Sequence, residues 1–531
     1  MDDSMNDAFD YISDRHILEA AAPKKRHPVK IILSSIAAVL AVIIAWCAIW
    51  KELGSDFRIP ILQDTTAATR EYPDTTANTI EPTPDTTVAD PVPDPTVTEP
   101  APRPTVPPFN PPEIVPLSHQ AAAPSYPEMP KAPRYSDFLH EGEYYDARYA
   151  FQSAMAEIYS QPAGYADSLD GFFRTGIPVF LSGEGNRVCS PLNIYMALAM
   201  AAETADGSTR QQILELLGAD STEALRTQVS HVWNAHYRAD GQTTSLLAAS
   251  VWLDEACAFR EDTVQTLADS YYASAFHGDL GSDEMNRELT QWLNQNTGNL
   301  LTEQTGNIKL DPDTIFALAT TAYLAADWEM PFYISATAPD TFHGTREDVE
   351  VDFMFTSLIH GTYYRGDNFG AIRLALSGDH GMWLVLPDEG ATVNQVLSGR
   401  EYWDLISSPD TYGEATSAVV DVRLPKFDVA GETDLRPGLE KLGVRDAFDY
   451  RKADFSPLTP AKDIFITQAS HAARVTVDEE GIQAAAYTFL TYGATGMPEP
   501  LKVDFTLNRP FFFAVTSKDN LPMFTGIVEQ P

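Results

Sequence analysis

Cysteine and positive charge are both scarce in this chain. Its 531 residues include 3 cysteines, Cys47, Cys189 and Cys257. Three are too few for a disulfide framework, and no CxxC or Cys/His cluster marks a zinc site. A Cys189–Cys257 bridge is the weaker reading beside two separate buried thiols. Lys and Arg total 36 against 75 Asp and Glu, a net charge of −39 and a pI near 4.4. Phosphate neutralisation needs clustered Lys and Arg, so nucleic acid is excluded as a partner. Also absent are GxSxG, HExxH, GxGxxG and GxxxxGKS/T, so neither an enzyme nor a metal- or cofactor-dependent site is expected.

Ile31–Trp50 carries no charge, and a collar of Lys24, Lys25, Arg26, His27 and Lys30 precedes it. At ~1.5 Å per residue the run spans the ~30 Å hydrocarbon layer. Trp46 and Trp50 sit where indoles favour the far interface. The charge asymmetry predicts a single-pass cell-membrane anchor, with residues 1–30 in the cytoplasm and the rest outside. A cleaved signal peptide is the competing reading, but it favours a shorter head and core. Residues 51–134 are rich in Pro, Thr and Asp, with Asp-Thr-Thr at 64–66, 74–76 and 85–87. Such a stretch lacks the apolar residues for a core and reads as a disordered stalk. Fully extended at ~3.1 Å per residue, it reaches roughly 260 Å at most.

From 135 to 531 the composition is globular. Phe172–Phe180 is amphipathic. A short buried strand near 188–189 leads to a helix opening at Pro191, where proline suits the first turn. Ser208 is the expected N-cap of a helix ending at Gly218. Strands are expected at Leu246–Leu253, Thr314–Ala325, Trp383–Pro387, Val419–Val422, Val475–Val477, Phe511–Val515 and Met523–Val528, and helices at Thr263–Tyr272 and Glu284–Asn296. Helices dominate early and strands late, which predicts an α+β fold with a large mixed sheet.

Asp478–Leu490 is the ambiguous stretch. An acidic pair leads into Gly481, three alanines follow, and then β-formers and aromatics. Alanine runs favour helix. Period-two alternation permits a strand, with Ile482, Ala484, Ala486, Thr488 and Leu490 on one face and Gln483, Ala485, Tyr487, Phe489 and Thr491 on the other. Thr491–Leu501 reads as an exposed loop.

Across roughly 135–531 the chain resembles a serpin. The resemblance rests on ordered motifs: Val188-Cys-Ser-Pro-Leu-Asn-Ile-Tyr-Met-Ala-Leu198, Gly207-Ser-Thr209 through Gly218, Asp327-Trp-Glu-Met-Pro-Phe332, Val385-Leu-Pro-Asp-Glu389, Leu424-Pro-Lys-Phe427, Leu442-Gly-Val-Arg-Asp-Ala-Phe448, Glu479-Glu-Gly481, Asn508-Arg-Pro-Phe-Phe-Phe513 and Met523-Phe-Thr-Gly526. It implies the serpin fold, with further sheets, about eight to nine helices and an exposed reactive-centre loop near the C-terminus. It implies a monomeric suicide-substrate inhibitor of a serine protease, or less often a cysteine protease, that inserts its cleaved loop into the main sheet. A non-inhibitory serpin acting as a surface binder, or a simple protease substrate, is the alternative.

On that resemblance Glu479, Glu480, Gly481, Ile482, Gln483, Ala484, Ala485, Ala486, Tyr487 and Thr488 form the hinge. Ile482 departs from the smaller residue the family usually places at the first inserting position. Scissile-bond candidates are Thr495, Gly496 and Met497, and their size suggests an elastase- or subtilisin-like protease. No Lys or Arg lies between Glu479 and Leu501, against a trypsin-like one. Ser190, Asn193, Thr320 and His471 map onto the family's sheet-opening polar cluster, and Trp328 packs at the sheet top.

Overall fold

The computed structural model describes residues 117–482 and 501–531, apart from 125, 135, 136 and 307. The anchor at 31–50 and most of the stalk lie outside the described residues. Within them no helix is long and apolar enough to cross a membrane. The last part of the segment read as stalk belongs to the folded domain instead. Strand β1 (Gln120–Ala122) lies within it, Leu117 is buried, and the Tyr126 ring stacks 5.4 Å from Trp233. A few apolar residues dispersed among prolines are enough to lay this segment along a sheet edge.

Helices α1 (Glu141–Ile158), α2 (Asp170–Phe180), α3 (Pro191–Thr204), α4 (Gly207–Leu217) and α5 (Thr222–His236) come early, around the short strand β2 (Arg187–Cys189). The Ser190 hydroxyl caps α3 by accepting from the Asn193 N–H at 3.3 Å. Its remaining side chains are almost all buried, so α3 is a core helix rather than a surface one. Helix α4 does not use Ser208 as its N-cap. Asp206 holds that position, and the Ser208 hydroxyl donates to Asp446 Oδ2 at 2.7 Å. Gly218 does end it in the left-handed region, at φ +67°.

The first sheet contains β3 (Arg238–Ala239), β4 (Thr244–Asp254), β5 (Ala273–Gly278) and β6 (Phe316–Asp327), in the order β1-β5-β4-β6, with β3 pairing β4. Helix α6 (Glu261–Tyr271) precedes β5, and α7 (Asp283–Gln295) follows it, with the short α8 (Thr302–Thr305) beyond. Pleating sends Leu318, Ala322, Leu324 and Ala326 of β6 into the main core. Its odd positions, such as Tyr323, join a second core under α7 with Trp252, Phe276, Leu289 and Trp292.

A nine-stranded sheet contains β7 (Ala338–His343), β8 (Asp348–Arg365), β9 (Phe369–Leu376), β10 (His380–Pro387), β11 (Ala415–Pro425), β15 (Lys502–Thr506), β16 (Phe511–Thr516), β17 (Pro522–Val528) and β2. Every residue of β10, β16 and β17 is buried, which matches their mainly apolar sequences. Helices α9 (Val393–Gly399), α10 (Glu401–Ser407) and α11 (Arg436–Lys441) complete eleven α-helices among the described residues, more than the eight to nine expected. Strands β12 (Phe427–Asp434) and β13 (Ser470–Val477) pair with each other, and β14 (Gly481–Ile482) joins β6. The large central sheet expected from sequence is therefore divided between β6 and β13.

Candidate functional site

The division between β6 and β13 is the site. One edge of β6 pairs with β4 from Phe316 to Ala325. Among the described residues its other edge pairs only at the top, where Gly481 lies opposite Asp327 and Ile482 opposite Ala326, antiparallel. Below that two-residue strand runs a narrow cleft, partly open to solvent, with about 20 Å³ of water-sized space. Its walls include Ala322 and Leu324 of β6, Ala473 and Val475 of β13, and Ile482 at the head. The Arg474 guanidinium crosses it, donating from Nη1 to the Leu300 carbonyl at 3.1 Å.

Backbone and side chains together pin the head of the cleft. The Trp328 indole donates to the Asp478 carbonyl at 2.9 Å, and the Trp328 and Phe332 N–H groups donate to the carbonyls of Glu480 and Glu479 at 3.0 and 3.1 Å. The Asp478 carboxylate accepts from the Glu480 and Gly481 N–H groups at 2.9 and 3.2 Å, a tight Asx-type turn. Glu479 is buried with its carboxylate 2.8 Å from Lys426 Nζ and 2.9 Å from the Thr337 hydroxyl. Burial alone would raise that carboxyl's pKa, but the Lys426 and Thr337 contacts hold it below the usual range. Gly481 is glycine for two reasons. Its φ is +157°, and a Cβ would lie 2.8 Å from the Asp327 Cα and closer still to the Ala326 carbonyl oxygen. Ile482, the unusual residue, is only 5% exposed and packs into the main core.

The four residues proposed as a polar cluster are brought together below the cleft, with one altered role. The Ser190 N–H donates to His471 Nε2 at 2.9 Å, and Asn193 Nδ2 donates to the Thr320 carbonyl at 3.2 Å. Thr320 thus contributes its backbone here, not its hydroxyl. His471 must be neutral to accept, and burial lowers its pKa from 6.5 to about 4. The free chain binds this proton more readily, so the neutral ring stabilises the fold fully above pH 6.5. That contribution erodes as pH falls towards 4, by up to about 3 kcal/mol. Thermal unfolding should therefore fall more steeply over this window in the wild type than in a His471→Gln variant. Equal slopes would assign the acid sensitivity elsewhere, for example to the buried neutral His236 and His380, also lowered to about 4 and about 3.

Gln483–Thr488 of the hinge and the scissile candidates Thr495, Gly496 and Met497 lie outside the described residues. Trp328 is buried at the top of β6, against Phe332 and Leu376. Cys189 and Cys257 are separate free thiols, the former buried with its pKa pushed up to about 12 by desolvation. Sequence reasoning missed the Lys426–Glu479 clamp. Its one trace was a lysine set among apolar residues in Leu-Pro-Lys-Phe, in a chain poor in lysine.

The family model described as Serpin (serine protease inhibitor) matches residues 181–531. The chain belongs to the serpin family. Among relatives, alpha-1-antiproteinase 2 of Equus caballus is 28% identical over 359 residues, covering 66% of this chain and 82% of the relative. A serine protease inhibitor of Cyanea capillata is 27% identical over 358 residues, covering 66% and 93%. Among solved structures, the thermophilic serpin tengpin in its native state superposes with a TM-score of 0.62 at 26% identity, covering 70% of this serpin and 95% of tengpin. Human thyroxine-binding globulin, solved with its hormone, shares the fold at 20% identity and a TM-score of 0.60, covering 70% and 100%.

Proposed function

We propose that this serpin is a suicide-substrate inhibitor of a serine protease, trapping the acyl-enzyme as its cleaved loop inserts between β6 and β13. The observation that carries the reading is β14 seated on the upper edge of β6, with no strand paired to that edge below it among the described residues. β14 pairs antiparallel with β6, Gly481 opposite Asp327 and Ile482 opposite Ala326. On insertion, a cleaved loop continuing this register would pair Ala484 with Leu324, Ala486 with Ala322, Thr488 with Thr320 and Leu490 with Leu318. Directly opposed residues in an antiparallel pair share a face. The small, uncharged set therefore meets the core-facing row of β6, where no charge is desolvated.

The small residues around the scissile candidates direct the inhibitor to an elastase- or subtilisin-like protease. The reading also holds the domain outside a cell membrane, tethered by 31–50 and the stalk. Incubation of the full-length chain with such proteases should give a detergent-stable, high-mass covalent complex, and a trypsin-like enzyme should give none. Mass spectrometry of the released peptide then identifies the bond among Thr495, Gly496 and Met497. Clean cleavage without loss of enzyme would instead support the second reading, a serpin that binds or is cut without trapping. One residue favours that reading: the same register sets Tyr487 opposite Thr321. The Thr321 hydroxyl meets the Asn296 carbonyl just past α7, so a bulky ring must displace that segment to enter.

A further inference from the structure

We propose that His119, Glu284 and Glu288 form a binding site for a divalent transition-metal ion of the zinc type, which fastens α7 to the segment bearing β1. One ligand atom from each of the three lies within 4.8 Å of the others, and they are the one such triad among the described residues. His119 Nδ1 stands 3.0 Å from Glu288 Oε1. Ligand atoms of a tetrahedral zinc centre with bonds of about 2.0–2.2 Å lie roughly 3.3–3.5 Å apart. The pair is hydrogen-bonded, so an ion would replace the proton between the two atoms and part them by a few tenths of an ångström, while the exposed Glu284 swings in. Glu284 and Glu288 are one turn apart on the same face of α7, where two carboxylates repel and a cation between them relieves the repulsion.

Two parts of the cluster are fixed before any ion arrives. Glu288 is buried, its second oxygen held at 3.3 Å by the His119 N–H. His119 sits against β5, its carbonyl accepting from the His277 N–H at 3.0 Å. One imidazole and two carboxylates suit zinc better than magnesium or calcium, which demand six or more oxygens. Two negative charges balance the ion, and three protein ligands leave its fourth position to water.

The position gives the site a purpose. Helix α7 lies across the outer face of the β4–β6 region, and Thr297, Leu300 and Leu301, just beyond it, line the cleft. An ion at the first turns of α7 anchors the helix to the far edge of the sheet. On the inhibitory reading proposed above, on which this consequence alone rests, that anchoring slows insertion.

The test uses the untagged full-length chain, stripped with a chelator and titrated calorimetrically with Zn²⁺, Mg²⁺ and Ca²⁺. One Zn²⁺ per chain is expected, weakened at least ~10-fold in Glu284→Gln and in His119→Gln, with no comparable binding of Mg²⁺ or Ca²⁺. Zn²⁺ should also raise the unfolding midpoint of the wild type by a few degrees and leave Glu284→Gln unmoved. Glu284 is exposed, so this variant should fold as the wild type does. No stoichiometric Zn²⁺ binding, or binding unchanged in both variants, overturns the proposal. These readouts need no protease, so their failure and that of the inhibitory reading are separable.

Discussion

An Ile482→Arg variant is expected to be cut by the target protease without retaining it, the yield of covalent complex falling at least ~100-fold. On the inhibitory reading loop insertion starts at Ile482, which packs against the main core beside Ala326; an arginine there is expelled to solvent and has to be buried again as insertion begins. Among the described residues the cleft walls near it are Tyr323, Leu324, Val475 and Phe524, with no carboxylate to receive a guanidinium. An uncompensated buried charge costs about 3–5 kcal/mol. On the inhibitory reading, trapping is a race between insertion and hydrolysis of the acyl-enzyme, and each 1.4 kcal/mol added to the insertion barrier slows it about tenfold. Ile482→Thr, smaller and uncharged, should keep trapping. Denaturing electrophoresis after incubation reads both. An arginine variant that still forms the covalent complex would remove insertion from the mechanism.

The parts of the fold legible in the sequence were those written in local pattern. Pro191 marks the start of α3, and Gly218 the end of α4. The apolar run at 314–325 falls on β6, within two residues at each end. Strand β8, the longest, passed unread because it changes surroundings along its length. Its burial runs from exposed to buried and back to exposed, so neither alternation nor an apolar run persists. The site was legible only as far as its single residues. Ser190 and His471 are 281 positions apart, Lys426 and Glu479 are 53 apart, and His119 and Glu288 are 169 apart. Periodicity carries no information over such separations. Thr320 shows a second limit. The sequence offers its hydroxyl, but the fold uses its carbonyl, which every residue possesses. The opening between β6 and β13 was equally hidden, since both strands are β-rich and nothing in either says that they stand apart.

Trp328→Ala should destabilise the domain by about 3–5 kcal/mol, the range for truncating a buried tryptophan. Trp328 is buried at the end of β6, 5.7 Å from the Phe332 ring, and bridges to Leu376 of the second sheet. It is also the post to which the hinge is tied, through its indole to Asp478 and its backbone N–H to Glu480. Alanine keeps the backbone bond and loses both the packing and the indole bond. The two losses can be separated by Trp328→Phe, which keeps most of the volume and leaves the Asp478 carbonyl without its donor. That change should cost only about 1–2 kcal/mol. Urea denaturation of the three proteins gives the stabilities. Proteolytic nicking around 478–482 reports the hinge, and both variants should be nicked faster than the wild type. If Trp328→Phe matches the wild type in nicking while Trp328→Ala does not, packing alone holds the hinge and the indole bond contributes nothing to it. If both are nicked at the wild-type rate, the clamp resides in the Lys426–Glu479 pair, and Trp328 serves only the core beneath it.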